Sequence, residues 1–160
     1  MIYILLTLAG LTICFAFVLL IGAPYLPTGK KQIEQALTLL DLRPGQTLYE
    51  LGAGSGGLTL AAAKQGIHVT AYEVNPILVL VLKWRCRKLK HVNIVNKNFW
   101  KANLQPADGI YVFLLDRFMS ALDVKISKQA KAGTKLVSYT FKIRDKKPAK
   151  TLGPMYLYEY

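Results

Sequence analysis

The sequence predicts an α/β fold, with a mostly parallel sheet covered by helices on both faces and one transmembrane helix in front of it. Three observations lead there. From Thr47 onward, short apolar segments of strand length alternate with longer segments of helical spacing, the order that builds parallel sheets buried on both sides. A glycine-rich turn, Gly52-Ala53-Gly54-Ser55-Gly56-Gly57, joins the first of those strands to a helix. Residues 2–22 carry no charge at all.

A chain of 160 residues holds one compact domain and an appendage. The composition divides it into residues 1–23, a membrane anchor, and residues 24–160, the α/β domain. At about 1.5 Å of rise per residue the uncharged run reaches roughly 31 Å, the thickness of a bilayer's hydrocarbon core. A cleaved signal peptide competes for the same segment. It requires a basic start, a shorter apolar stretch and a small-residue cleavage site. No Lys or Arg precedes the run, and Ile21-Gly22-Ala23-Pro24 fits such a site poorly. Lys30 and Lys31 follow the span and nothing basic comes before it. That asymmetry sets the domain on the cytoplasmic side, or the matrix side of a mitochondrial membrane. Cys14 lies within the span and Cys86 in a predicted helix, so no disulfide framework is suggested.

The elements follow in order. Residues 24–29 form a turn-rich linker, with Thr28 placed to cap the next helix. In that helix Ile33, Ala36, Leu37 and Leu40 share one face, and Arg43-Pro44-Gly45 stops it. Thr47–Leu51 reads as a strand and Gly57–Lys64 as a small-residue helix. Residues 69–72 make a second strand ending at Glu73. Pro76 suits a first helical position, and its helix is expected to run to about Leu89. Val92–Val95 and residues 110–115 are the third and fourth strands. Residues 118–130 are helical, with Phe118, Leu122 and Ile126 along one stripe and Gly133 closing the segment. A fifth strand (136–141), a basic loop (142–150) and an aromatic-rich last strand (155–160) complete the chain.

A ligand of such a sheet binds at the carboxyl ends of its strands. Gly52, Gly54 and Gly56 permit a sharp turn there and let backbone approach a ligand with no Cβ in the way. Gly52, Gly54 and Gly57 also satisfy the dinucleotide fingerprint, so the glycines by themselves leave the cofactor class open. Glu50 narrows it. A pyrophosphate is repelled by a carboxylate at the strand end, whereas S-adenosylmethionine carries an ammonium and a sulfonium that an acid attracts. Glu73, 23 residues after Glu50, can accept both ribose hydroxyls, a role shared by both cofactor classes.

Glu50-x-Gly52-x-Gly54-x-Gly56 resembles motif I of the class I, seven-β-strand methyltransferases, and Glu73 resembles their second-strand acid. The N-terminal span, Pro24-Tyr25-Leu26-Pro27-Thr28, Tyr72-Glu73-Val74-Asn75-Pro76 and Asn98-Phe99-Trp100-Lys101 together resemble the membrane-anchored lysine methyltransferases that include enzymes of the ATP synthase c subunit and the adenine nucleotide translocase. The resemblance implies a Rossmann-like methyltransferase sheet with S-adenosyl-L-methionine as cofactor. It implies that Gly52, Gly54 and Gly56 line the methionine moiety, that Glu73 holds the ribose, and that Asn98 and Phe99 hold the adenine. Asn98 stands where the wider class carries Asp; it keeps an acceptor and drops the charge.

The function expected is therefore protein-lysine N-methylation of a membrane-associated protein. Methylation of a lipid or hydrophobic small molecule, and a non-catalytic, membrane-tethered cofactor-binding scaffold, are the alternatives. Asp116, at a carboxyl end of the sheet, is the candidate to orient the lysine, with helix N-capping as its competing role. Tyr25 is the candidate to close the site from the linker, with packing of that linker as its competing role. His68 and His91 stand apart from partners that would make a metal site. The net charge is +12, and from Lys83 to Lys101 there are seven basic residues and no acid. Beside an anchor, that face fits the anionic headgroups of a lipid bilayer; a merely solvated surface is the other reading. The turn after the fourth strand, Leu114-Leu115-Asp116-Arg117, lacks the Asn-Pro-Pro-Tyr-type motif, which counts against amino-methylation of adenine bases. Nucleic acid is the less expected partner of the basic face, and RNA methylation through it is a further alternative.

Overall fold

The computed structural model describes residues 2–7, 9–10 and 26–160. Residues 2–7 and 9–10 are helical. Most of the expected anchor (2–22), and Tyr25 with it, lies outside the described residues. Among those described, no helix is long and apolar enough to cross a membrane.

The domain is a seven-stranded sheet with helices on both faces. Its elements are α1 (Lys30–Leu40), β1 (Thr47–Leu51), α2 (Gly57–Lys64), β2 (His68–Tyr72), α3 (Pro76–Cys86), β3 (Val92–Val95), a 3-10 turn (Phe99–Lys101), β4 (Gly109–Val112), α4 (Asp116–Gln129), β5 (Lys135–Tyr139), β6 (Lys150–Leu152) and β7 (Met155–Glu159). The strand order is β3-β2-β1-β4-β5-β7-β6. The first five strands run parallel, while β7 enters antiparallel between β5 and β6.

Alternation along the strands sorts the core into two layers. Leu48, Val69, Ala71, Tyr111, Val137 and Leu157 face α1, α2 and α3 through Ala36, Leu40, Leu58, Ala62 and Leu82. Tyr49, Leu51, Ile110, Val112, Leu136 and Tyr158 face α4 through Met119, Leu122 and Ile126. The strands at the centre are therefore apolar on both sides, and Glu50, which shares the parity of Leu48, points into the first layer.

Several boundaries differ from the sequence expectation. Thr28 does not cap α1; Gly29 is its N-cap, with no side-chain hydrogen bond, and the Thr28 hydroxyl lies 3.4 Å from that of Tyr111 instead. Helix α1 stops at Leu40, before Arg43-Pro44-Gly45, because Asp41 takes a left-handed conformation and donates its N–H to the Leu37 carbonyl. Helix α3 ends at Cys86 rather than near Leu89. Helix α4 begins at Asp116, two residues before the expected start, with Leu115 as N-cap. Strand β6 falls at the end of the segment that reads as a basic loop. Its pairing with β7 supplies the seventh strand that the family resemblance implies.

Candidate active site

The sheet reverses its order between β1 and β4, and the ligand crevice of an open α/β sheet lies at such a switch point. Here it is a cleft of about 980 Å³, its open mouth included, at the carboxyl ends of β1 to β4. Each strand delivers a distinct kind of group to it. After β1, Gly52 and Gly54 form part of its lining; after β2 comes Glu73, after β3 Asn98 and Phe99, and after β4 Phe113 and Leu114. Pro27 and Thr28 of the linker reach the same cleft.

The glycine turn is held open by its backbone. Gly52, Gly54 and Gly56 have φ of 92°, 56° and 77°, values that favour glycine. The N–H groups of Gly52 and Ala53 both donate to the Tyr72 carbonyl, at 2.9 and 2.8 Å, tying the turn to the end of β2. At Gly56 a Cβ would meet Leu82 Cδ1 at 2.0 Å, so α3 packs directly over this glycine.

Two carboxyl groups flank the turn, and both are buried: Glu50 is 4% exposed and Glu73 7%. Glu50 accepts a hydrogen bond from the Thr59 hydroxyl of α2. Burial raises its pKa to about 8, against the lowering effect of Thr59, and the nearby charge of Glu73 adds to the rise. Glu73 is held differently. Its two oxygens accept the N–H groups of Gly54 at 2.7 Å and Asn75 at 2.8 Å, so one side chain clamps the glycine turn to the start of α3. Asn75 in turn accepts the Ile77 N–H at 2.9 Å and caps that helix.

Asn98 caps the 3-10 turn by accepting the Trp100 N–H at 3.0 Å. Phe99 packs against Trp100 with ring centroids 4.9 Å apart, and Trp100 continues to Phe118 at 6.3 Å. Phe99, backed by these rings, brings an aromatic face to the cleft that Glu50 and Glu73 also line. The residues suit a ligand with a cationic group near Glu50, hydroxyls near Glu73 and a flat ring near Asn98 and Phe99. Among the described residues no group of three metal-ligating side chains comes together.

The structure gathers Glu50, Gly52, Gly54, Glu73, Asn98 and Phe99 in one cleft, with Gly56 at the N-cap of α2 directly behind it. It does not bring Asp116 there. That residue sits in the first turn of α4, its half-exposed carboxylate paired with Arg144, and it is not part of the cleft wall. Nor does it cap the helix, since Leu115 occupies that position. Two polar residues that the sequence does not single out bear on the site, Thr59 from behind Glu50 and Tyr111 in the cleft wall. Thr59 lies nine residues from Glu50, and its approach depends on how α2 folds back over β1. Tyr111 reads in the sequence as an ordinary core residue of β4; it lines the cleft, and burial raises its pKa far above the ordinary tyrosine value.

The ANTKMT methyltransferase domain matches residues 50–150. An adenine nucleotide translocase lysine N-methyltransferase from Mus musculus is 31% identical over 134 residues, covering 81% of this chain and 58% of that protein. A lysine N-methyltransferase of the ATP synthase c subunit, also from Mus musculus, is 27% identical, covering 81% and 53%. A protein-lysine N-methyltransferase from Saccharolobus islandicus is 27% identical, covering 81% and 83%. This chain therefore spans little more than half the length of the two mouse relatives. Among solved structures, an RNA methyltransferase from Salinibacter ruber in complex with S-adenosyl-L-homocysteine shares the fold, with a TM-score of 0.77, 24% identity, and coverage of 84% and 92%. With the family's region covering the glycine turn and every strand from β2 to β5, the chain belongs to the ANTKMT methyltransferase domain family.

Proposed function

We propose that this protein is an S-adenosylmethionine-dependent protein-lysine N-methyltransferase acting on a membrane-associated protein. The observation that carries the reading is the pair of buried carboxyl groups, Glu50 and Glu73, on either side of a glycine turn at the switch point of the sheet. The names of the relatives, which are lysine methyltransferases in both mouse and archaeon, support the substrate class.

When bound, S-adenosylmethionine supplies a methyl group already activated by its sulfonium, so the protein's contribution is alignment and exclusion of water. Gly52 and Gly54 would hold the methionine moiety, Glu73 the ribose, and Asn98 and Phe99 the adenine. Glu50 would face the positive charge of the donor. An incoming lysine has a reference pKa of about 10.4 and reacts as the neutral amine. The apolar side chains of Phe113 and Leu114 would lower that pKa by desolvation, and the hydroxyls of Thr28 and Tyr111, which line the same cleft, would orient the nitrogen. Tyr111 acts as a donor or acceptor of hydrogen bonds in its neutral form, since burial holds its proton firmly. Tyr25, two residues before Pro27, closes the mouth from the linker in this reading.

The anchor belongs to the same proposal. Residues 2–22 have the length and apolarity of a bilayer span, and the described side chains Ile2, Tyr3, Ile4, Leu5 and Leu6 are all more than half exposed. The domain then stands on the cytoplasmic or matrix face. The test is transfer of labelled methyl from S-adenosylmethionine into membranes, followed by separation of protein, lipid and RNA. Label in protein lysine is expected. Label in lipid or RNA would replace the substrate, and tight cofactor binding without transfer would leave a scaffold.

A further inference from the structure

Helix α3, Pro76–Cys86, has the sequence PILVLVLKWRC and is apolar nearly all round. One face is accounted for, because Val79, Leu82 and Cys86 are buried, the latter two within the core layer that the sheet shares with α1 and α2. The opposite face is not. Ile77, Leu80, Val81 and Trp84 recur at i, i+3, i+4 and i+7, so they form one stripe. They are 56%, 68%, 38% and 66% exposed. Single exposed apolar residues are ordinary, but a contiguous helical stripe of four marks an interaction surface.

The surroundings of the stripe identify the partner. At about 100° per residue, Lys83 and Arg87 border the stripe on one side and Arg85 on the other. Arg87 stacks over the Trp84 ring at 4.7 Å and donates to the Trp84 carbonyl at 2.7 Å. Arg85 donates to the Ser55 carbonyl of the glycine turn at 2.5 Å. Lys88, Lys90, Lys97 and Lys101 extend the same basic tract, which contains no acid, and none of these seven cations is in an ion pair of the described residues. An aromatic and aliphatic stripe rimmed by Lys and Arg is the pattern of a helix lying in the interface of an anionic bilayer. The apolar side chains enter the headgroup boundary, and the long basic side chains reach the phosphates while their methylene stems stay in apolar contact.

We propose that the exposed face of α3 is a lipid-docking surface that seats the domain on an anionic membrane with Ile77, Leu80, Val81 and Trp84 inserted. The placement of α3 gives this contact a consequence. Leu78 of the same helix and Lys97 both line the cleft, and Glu73 clamps the helix start to the glycine turn. Docking through α3 therefore holds the cleft mouth at the membrane surface. The proposal does not depend on methyl transfer, nor on residues 2–22 crossing the bilayer.

The test uses the full chain in bilayers of phosphatidylcholine, or of equal parts phosphatidylcholine and phosphatidylserine, made with and without brominated acyl chains. The difference in fluorescence between wild type and W84F isolates Trp84 from Trp100. The expected result is a blue-shifted Trp84 emission, quenched severalfold by brominated chains in the anionic bilayer and much less in the neutral one. K83E/R87E should reduce that quenching to the neutral level. Absence of quenching in either bilayer overturns the proposal. So does equal quenching in both, which would remove the role of the basic rim. A blue-shifted emission indifferent to lipid overturns it too, and identifies the cover as this chain's own N-terminal segment or a second copy. Binding of S-adenosylhomocysteine, measured on the same samples, separates failure of this surface from failure of the cofactor site.

Discussion

Glu50 holds a carboxyl group in a place that disfavours its charge, and two predictions follow from its pKa of about 8 against an ordinary 4.5. The folded state binds a proton there that the unfolded chain has already released. Between about pH 4.5 and about pH 8 the group's contribution to stability therefore falls as pH rises, by up to about 1.4 kcal/mol per pH unit, and levels off above that window. Urea titrations across that range should show the decline, and E50Q, which still accepts from Thr59, should flatten it. A cationic ligand reverses the preference, because it favours the ionised form. Affinity for S-adenosylmethionine is accordingly expected to tighten as pH rises toward 8, with proton release on binding, and E50Q should abolish both; calorimetry in buffers of different ionisation enthalpy reads them directly. Asp116 gives the opposite expectation. Its carboxylate faces Arg144 outside the cleft wall, so D116N should retain methylation to within about twofold, and a large loss of kcat would return it to the reacting atoms.

Helix α3 shows how one element serves both the site and the surface. Its start is fixed by Pro76 and by Asn75, whose side chain caps the Ile77 N–H. N75A should cost about 1 kcal/mol of stability and should also loosen the Glu73 clamp next to it, which a weaker affinity for S-adenosylhomocysteine would reveal. The packing of α3 on the glycine turn separates two glycines that both have positive φ. At Gly52 an added Cβ meets nothing within 4 Å, so G52A should cost only the left-handed strain, about 1–2 kcal/mol. At Gly56 the same strain is joined by a clash with Leu82, and overpacking adds about 1–3 kcal/mol. Chemical denaturation should place G56A clearly below G52A in stability.

At the scale of the whole molecule, the arrangement depends on two separate sources of order. The α/β domain has its own two-layered core, whereas residues 2–22 have length and apolarity suited to lipid. The full chain is expected to remain in the membrane pellet after alkaline carbonate. I13K/F17K, each charge costing about 2.5–3.5 kcal/mol at the centre of a span, should release it while leaving cofactor binding intact. Retention of that variant in the pellet would mean that the uncharged run is not what holds the protein.

The α/β class, the glycine turn and the two acids beside it were legible in the order of residues alone. Those features rest on periodicities of two and 3.6 residues, on φ values open to glycine, and on the charge a strand end presents, all of which are local. The succession of elements was legible in the same way, although not their ends. Helix α1 stops at Leu40 because Asp41 turns left-handed, and α4 starts at Asp116 behind an N-cap, Leu115, that no side-chain hydrogen bond marks. Strand β6 was hidden because Lys150–Leu152 has no periodicity of its own and exists through pairing with β7. Which polar groups face the cleft was a matter of tertiary packing. Tyr111 lines it, Thr59 backs it through Glu50, and Asp116 pairs with Arg144 outside its wall, because contacts between residues far apart in sequence depend on how helices pack across strands. The same packing buried one face of α3 and left the other exposed, a distinction absent from a helix that is apolar on every side.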